Sequence, residues 1–202
     1  MGQALMGRRA IVAVVGLGLL VLVGAWAVSV ANALVRLEQD VHEAWAQVQN
    51  VYQRRADLIP NLVETVRGFA AHERAVLEEV TRARAAATGV QLGPDALADP
   101  RAVERFLQAQ RELSSALGRL LVVVERYPEL RSSQNFLALQ TQLEGTENRI
   151  AVERRRYNEA VRAYNTRLRV LPGAVVARVL GFQPKAFFEA TPDAATPPRV
   201  KF

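Results

Sequence analysis

The sequence predicts an all-α protein: an N-terminal transmembrane helix continuing into an up-down antiparallel helical bundle of three long helices plus a short fourth. Three observations carry this. The run from Ala10 to Val35 holds no charged residue. From Leu34 onward, apolar residues recur at steps of three and four, which puts them on one helical face. No part of the body alternates apolar and polar residues as a half-buried strand would.

A short N-terminal segment, residues 1–9, ends in Arg8-Arg9. The transmembrane helix is assigned to residues 10–33. Crossing ~30 Å of hydrocarbon takes ~20 residues at ~1.5 Å each, and Ile11 to Ala31 supplies them. Two arginines precede the span, and Arg36 is the one basic residue close behind it. That imbalance places the N-terminus in the cytoplasm and the body outside. A cleaved signal peptide is the rival reading, with Ala31-Asn32-Ala33 as its processing site. Against it, the apolar stretch exceeds the ~7–15 residues of a signal core, and the helical pattern starts at Leu34 without a break. Gly16, Gly18 and Gly24 form no GxxxG pair, so no dimerisation face of that kind marks the span.

Residues 34–180 form the bundle. Its first helix is expected from Leu34 to Ala87, on Leu34, Leu37, Val41, Ala44, Val48, Val51, Leu58, Leu62, Val66, Phe69, Val76 and Val80. This is a coiled-coil-like seam that needs helical partners. Arg55 falls where an apolar residue is due. Pro60 lacks a backbone N–H, frees the carbonyl of Ala56 and predicts a kink. Residues 88–99 read as a loop. Asp99 as N-cap and Pro100 as the first helical residue open a second helix, which runs to about Arg126 on Val103, Phe106, Gln110, Leu113, Leu117, Leu120 and Val124. Tyr127-Pro128 stops it, and the short connection Pro128–Ser132 predicts an antiparallel return. The third helix, about Ser133 to Val170, buries Phe136, Leu139, Leu143, Ile150, Val161, Tyr164 and Leu168. Pro172-Gly173 ends it, and Ala174–Leu180 supplies the short fourth helix. Residues 181–202 are a tail holding Pro184, Pro192, Pro197 and Pro198 with Phe182, Phe187, Phe188 and Phe202. A disordered tail rarely carries so many aromatics, so part of it is expected to dock on the bundle.

Helix lengths carry a further expectation. A first helix of that extent spans ~80 Å, against ~40 Å and ~55 Å for the second and third. Its membrane-proximal seam, Leu34 to about Arg54, is then left uncovered and needs another subunit, the tail or lipid. This predicts a homo-oligomer.

Composition narrows the chemistry. There is no cysteine, so no disulfide or thiolate metal site exists. The net charge of +6 reads as a solvated, mixed-charge helix surface rather than a nucleic-acid face. His42 and His72, the only imidazoles, are too far apart along one helix to share a metal, and neither has a Glu three residues before it. Ser114, Ser115, Ser132 and Ser133 sit in no Gly-x-Ser-x-Gly setting, and no phosphate-binding glycine loop occurs. No catalytic residue, metal or cofactor is expected.

Two polar clusters remain as candidate partner-binding or polar-network sites. Arg54, Arg55, Asp57 and Asn61 surround Pro60, either as polar repair of the kink or as a recognition patch for a partner or headgroup. Arg154 and Arg155 lead into Tyr157-Asn158, a pair repeated seven residues later as Tyr164-Asn165. Seven residues return the pair to nearly the same face, where a buried Asn can fix register and oligomer state. The arginines there could instead grip phosphate.

Three ordered stretches carry a resemblance: Arg54-Arg55-Ala56-Asp57-Leu58-Ile59-Pro60-Asn61-Leu62-Val63; Tyr127-Pro128-Glu129-Leu130 with Asn135-Phe136; and Glu144-Gly145-Thr146-Glu147-Asn148-Arg149-Ile150 through Arg155-Arg156-Tyr157-Asn158 to Tyr164-Asn165. With the N-terminal anchor and the closing Pro197-Pro198-Arg199-Val200-Lys201-Phe202, the chain resembles the bacterial LemA family from about Ala33 to its end. The resemblance implies a single-pass protein of the bacterial inner membrane with a helical-bundle body and no established enzymatic activity. The function expected is a non-enzymatic membrane scaffold or organising protein. It would contact lipid through residues 11–31, assemble with itself, and engage membrane protein partners but no nucleic acid. A lipid-binding, membrane-shaping module and an enzyme with an unfamiliar site are the alternatives.

Overall fold

The computed structural model describes residues 2–188, with side chains from Val14 onward. The expectations that rest on Pro192, Pro197, Pro198 and Phe202 lie outside the described residues. Helix α1 runs Gly2–Phe69, α2 Arg74–Gly89, α3 Pro100–Val124, α4 Pro128–Arg131, α5 Gln134–Arg169 and α6 Gly173–Leu180. A 3-10 turn, Pro94–Ala98, sits between α2 and α3. No strand occurs among the described residues. The chain is thus all-helical, with one long apolar N-terminal helix.

Two compact units divide it. One comprises residues up to Asp40 with Arg162–Pro184; the other comprises Val41–Val161 with the tail from Lys185.

The second unit owes its core to five helices. Ile59, Leu62, Val63 and Val66 of α1 meet Leu77 and Val80 of α2, Leu113, Leu117 and Leu120 of α3, Leu130 of α4, and Phe136 and Leu143 of α5. Local signals start and stop these helices as physical chemistry requires. The Asp99 carboxylate accepts from the Arg101 N–H at 2.9 Å, with Pro100 at the first helical position, a cap worth ~1 kcal/mol. Pro128 opens the single turn α4 within the short connection between the second and third expected helices.

The first helix of the body is shorter than expected. It ends at Phe69, and α2 begins at Arg74 after a four-residue turn. The Ala70 N–H still bonds the Val66 carbonyl, and Glu73 N–H closes the turn on Ala70. Arg84 of α2 then reaches the Ala56 carbonyl at 2.8 Å; in one unbroken helix these residues would stand ~42 Å apart. The break escaped the sequence reading because Val76 and Val80 keep the seam's spacing across it. Ala70, Ala71, His72 and Glu73 also carry no strong helix-breaking signal of their own.

That break also overturns the argument for an uncovered seam. From Leu34 to Phe69, α1 offers as many residues as α5 has in total, 36. In the second unit, Val41, Trp45, Val48 and Tyr52 are buried within the chain itself, and in the first unit Leu34 is too. These seam positions are buried by the chain itself, while Leu37, Ala44 and Val51 are half-buried.

The first unit has the opposite surface character. Val14 to Val28 of α1 is a continuous exposed apolar face, and α1 is the one helix among the described residues long and apolar enough to cross a membrane. Farther along α1, Leu34 is fully buried and the Tyr164 hydroxyl of α5 donates to Glu38 at 3.5 Å. Helix α6 stops at Gly181, whose φ of 79° is a left-handed conformation that glycine adopts without strain. At the other end, a Cβ on Gly173 would fall on the Arg167 carbonyl oxygen, so only glycine lets α6 start so close to α5.

Candidate functional site

The second unit contains two built polar sites, one at the proline of α1 and one where the tail docks. At the first, Pro60 stays within α1 and cannot donate to the Ala56 carbonyl. Arg84 Nε of α2 donates to it instead. One turn back, Arg55 is 2% exposed. Its Nη1 donates to Ser114 Oγ at 3.0 Å and to the Glu147 carboxylate at 2.9 Å. Its Nη2 donates to the Gln110 side-chain oxygen and, at 3.4 Å, to the Gln110 carbonyl. Gln110 in turn donates to the Ala87 carbonyl at 3.3 Å. The guanidinium therefore joins α1, α3 and α5, and α2 through Gln110, while its face lies 5.2 Å from the Tyr52 ring. Its Nε is buried with no hydrogen-bond partner among the described residues.

The tail site is built around Trp45. The indole N–H donates to the Leu92 carbonyl at 3.1 Å, beside Gln49, which donates to the same oxygen. Phe106, Tyr157 and Phe188 surround the ring at centroid distances of 5.4 to 5.8 Å, within the range where aromatic pairs attract. Phe188 comes from the tail. Asn158 holds its backbone at both polar groups: Nδ2 donates to the Phe188 carbonyl at 2.9 Å, and the Phe188 N–H donates to Oδ1 at 2.8 Å. Two residues earlier, the Tyr157 hydroxyl donates to the Ala186 carbonyl, and the Ala186 N–H donates to Leu97. The Arg154 guanidinium covers the outer face of Phe188 at 5.3 Å. Burial pushes the Tyr157 phenol far above its ordinary range, and Tyr52 is raised for the same reason, partly offset by Arg154 and Arg55.

The sequence-derived candidates separate accordingly. Of the first cluster, Arg55 alone points inward. Arg54, Asp57 and Asn61 are exposed, and Asp57 accepts from Gln53 at 2.7 Å. Of the second, Arg154 and Asn158 hold the tail, whereas Arg155 is exposed. Asn165 is buried in the first unit, where burial chiefly, and Glu38 secondarily, raise the neighbouring Tyr164 phenol. The partners that sequence reasoning missed are Glu147, Gln110 and Ser114 for Arg55, Arg84 for Ala56, and Trp45 for the tail. One signal for the first group was visible: a charged residue in an apolar register position demands buried acceptors. His72 lies in the turn between α1 and α2, and His42 has a buried Nε2 without a hydrogen-bond partner among the described residues. No group of three or more His, Asp or Glu side chains converges at metal-binding distance among the described residues.

The first unit holds a cleft of about 890 Å³ whose walls are apolar throughout, with Val23, Trp26 and Ala31 of α1 facing Leu171, Val175 and Val179.

The sequence matches the LemA family over residues 44–202. It is 28% identical over 184 residues to the magnetosome protein MamQ 2 of Paramagnetospirillum magneticum, covering 82% of this chain and 67% of that protein. The MamQ protein of Magnetospirillum gryphiswaldense is 28% identical over 182 residues, with the same coverage. Protein LemA of Metamycoplasma hominis is 21% identical over 160 residues, covering 79% of this chain and 69% of its own length.

Proposed function

The chain belongs to the LemA family, and from that premise we propose that it is a non-enzymatic, membrane-anchored scaffold. In this reading α1 crosses the bacterial inner membrane once, with the N-terminus in the cytoplasm and the helical body on the other side. An up-down antiparallel bundle, assembly with further copies and capture of membrane proteins are parts of the same proposal. Because Leu34, Val41, Trp45, Val48 and Tyr52 are already buried within the chain, the reading assigns assembly to exposed positions such as Arg54 and Arg155.

The observation that carries the reading is how the buried polar groups are used. Arg55, Gln110, Asn158 and Tyr157 are committed to bonds between the chain's own elements. These bonds tie the helices and the tail into a platform; Gln110 also lines a small cavity of about 190 Å³ beside Tyr52 and Phe106. The exposed apolar face of α1 supports the anchor. Proximity labelling in living cells tests the proposal. Arg54→Glu and Arg155→Glu, both on exposed positions, should remove particular neighbours while helix content is unchanged. A labelled set identical to that of the same anchor fused to an unrelated helical domain would refute it.

A further inference from the structure

Helix α6 inverts the pattern of a helix on a water-soluble body. It buries Gly173 and Ala177 and exposes Val175, Val179 and Leu180, with Val176 half-buried. Val179 is 79% exposed, Leu171 just before the helix 75%, and Val175 and Leu180 are exposed as well. Large contiguous apolar patches on a soluble surface are rare and mark a contact. The glycines at either end build this geometry: Gly173 allows the close approach to α5, and Gly181 ends the helix after two turns.

We propose that α6 is an interfacial membrane element. Its outward face would lie among the acyl chains of the leaflet at the C-terminal end of the spanning helix. The proposal rests on the anchoring of α1, and α1 also fixes the depth. If residues 11–31 fill the hydrocarbon, Val23 to Ala31 occupy about the last two-fifths of the crossing. Those residues form the opposite wall of the apolar cleft that Leu171, Val175 and Val179 line. A helix sharing a cleft with them sits at their level. Eight residues extend ~12 Å, too little to cross ~30 Å, so α6 lies in the interface as amphipathic anchors do.

Charge selects lipid over a protein occupant. From Arg162 to Pro184 the chain carries Arg162, Arg167, Arg169 and Arg178 and no carboxylate. Basic residues flanking an apolar face complement anionic headgroups, and arginine's aliphatic stem lets the charge reach the headgroup layer while the helix stays below it. Trp26, exposed and on the cleft wall, is the residue type that favours that same boundary.

The absence of cysteine permits single nitroxide labels on the full chain. Val175→Cys and Val179→Cys would be labelled and reconstituted in phosphatidylcholine–phosphatidylglycerol vesicles. Val21→Cys in the span and Val122→Cys on the body serve as references, Val122 being exposed. Power saturation then compares oxygen with a water-soluble nickel complex. The expected result is an oxygen-to-nickel accessibility ratio at 175 and 179 several-fold above that at 122 and below that at 21, which lies mid-span. A ratio like that of 122 would overturn the proposal. So would labels shielded from both reagents, which would mean that a second copy or another protein covers the face. If Val21 itself is open to nickel, the anchoring reading fails and α6 insertion fails with it. If Val21 is lipid-exposed and 175 and 179 are not, only the present inference is lost.

Discussion

Removing the half-exposed partner of Arg55 is expected to harm this protein more than removing Arg55 itself. Glu147 is 45% exposed and Arg55 is 2% exposed. In Glu147→Ala the guanidinium stays buried, with Ser114 Oγ and two Gln110 oxygens as its acceptors and no partner for Nε among the described residues. An uncompensated buried charge costs ~3–5 kcal/mol, and residual access of water through the Glu147 side keeps the expectation near ~3. Arg55→Met removes the charge and keeps most of the volume. Glu147 then rehydrates, and Ser114 retains its own bond to the Gln110 carbonyl. Only the Gln110 side-chain oxygen is left wanting a donor, at ~1–2 kcal/mol. At ~2–4 °C per kcal/mol for a chain of this size, Glu147→Ala should lower the melting temperature by ~6–12 °C and Arg55→Met by ~2–8 °C. Thermal unfolding of the full chain in one detergent, followed by circular dichroism at 222 nm, measures both. An Arg55→Met loss equal to or larger than that of Glu147→Ala would refute the reasoning, because the pair would then stabilise as a net attraction and not merely compensate a buried charge.

Three further outcomes follow from the same geometry. Arg84→Leu should cost ~1 kcal/mol in the native sequence but little in a Pro60→Ala background, where the helix's own N–H can serve the Ala56 carbonyl; a double-mutant cycle with no coupling would count against the repair. Phe188→Ala should cost ~3 kcal/mol and shift Trp45 emission to the red, and Asn158→Ala should expose the tail to limited proteolysis without unfolding the helices; an unchanged cleavage pattern would show that Asn158 does not hold it. Burial raises the phenols of Tyr157, Tyr164 and Tyr52, so their neutral forms favour the folded state. That contribution is complete below the unfolded tyrosine value of ~10 and falls as pH rises above it; stability that is flat from pH 9 to 12 would contradict this burial.

Helix type and most boundaries were legible because Asp99-Pro100, Tyr127-Pro128 and Pro172-Gly173 are local signals. The break after Phe69 was not, since Val76 and Val80 continue the period on both sides of a tight turn. The free carbonyl at Ala56 was readable from Pro60, but its partner Arg84 is 28 residues away, and nothing local names it. Arg55 announced itself as a charge in an apolar register, whereas the docking of Phe188 depends on long-range contacts with Trp45 and Asn158. The exposed face of α6 looked like any short apolar helix until Gly173 and Ala177 proved to be its inward side.

The proposal that this protein organises partners at the membrane meets its most direct test in native mass spectrometry of the full chain, taken from cell membranes in lipid nanodiscs. Lipid should be in enough excess that unassociated copies seldom share a disc. The account predicts discs holding two or more copies, or one copy with a defined membrane protein. Single copies alone in every disc would contradict it.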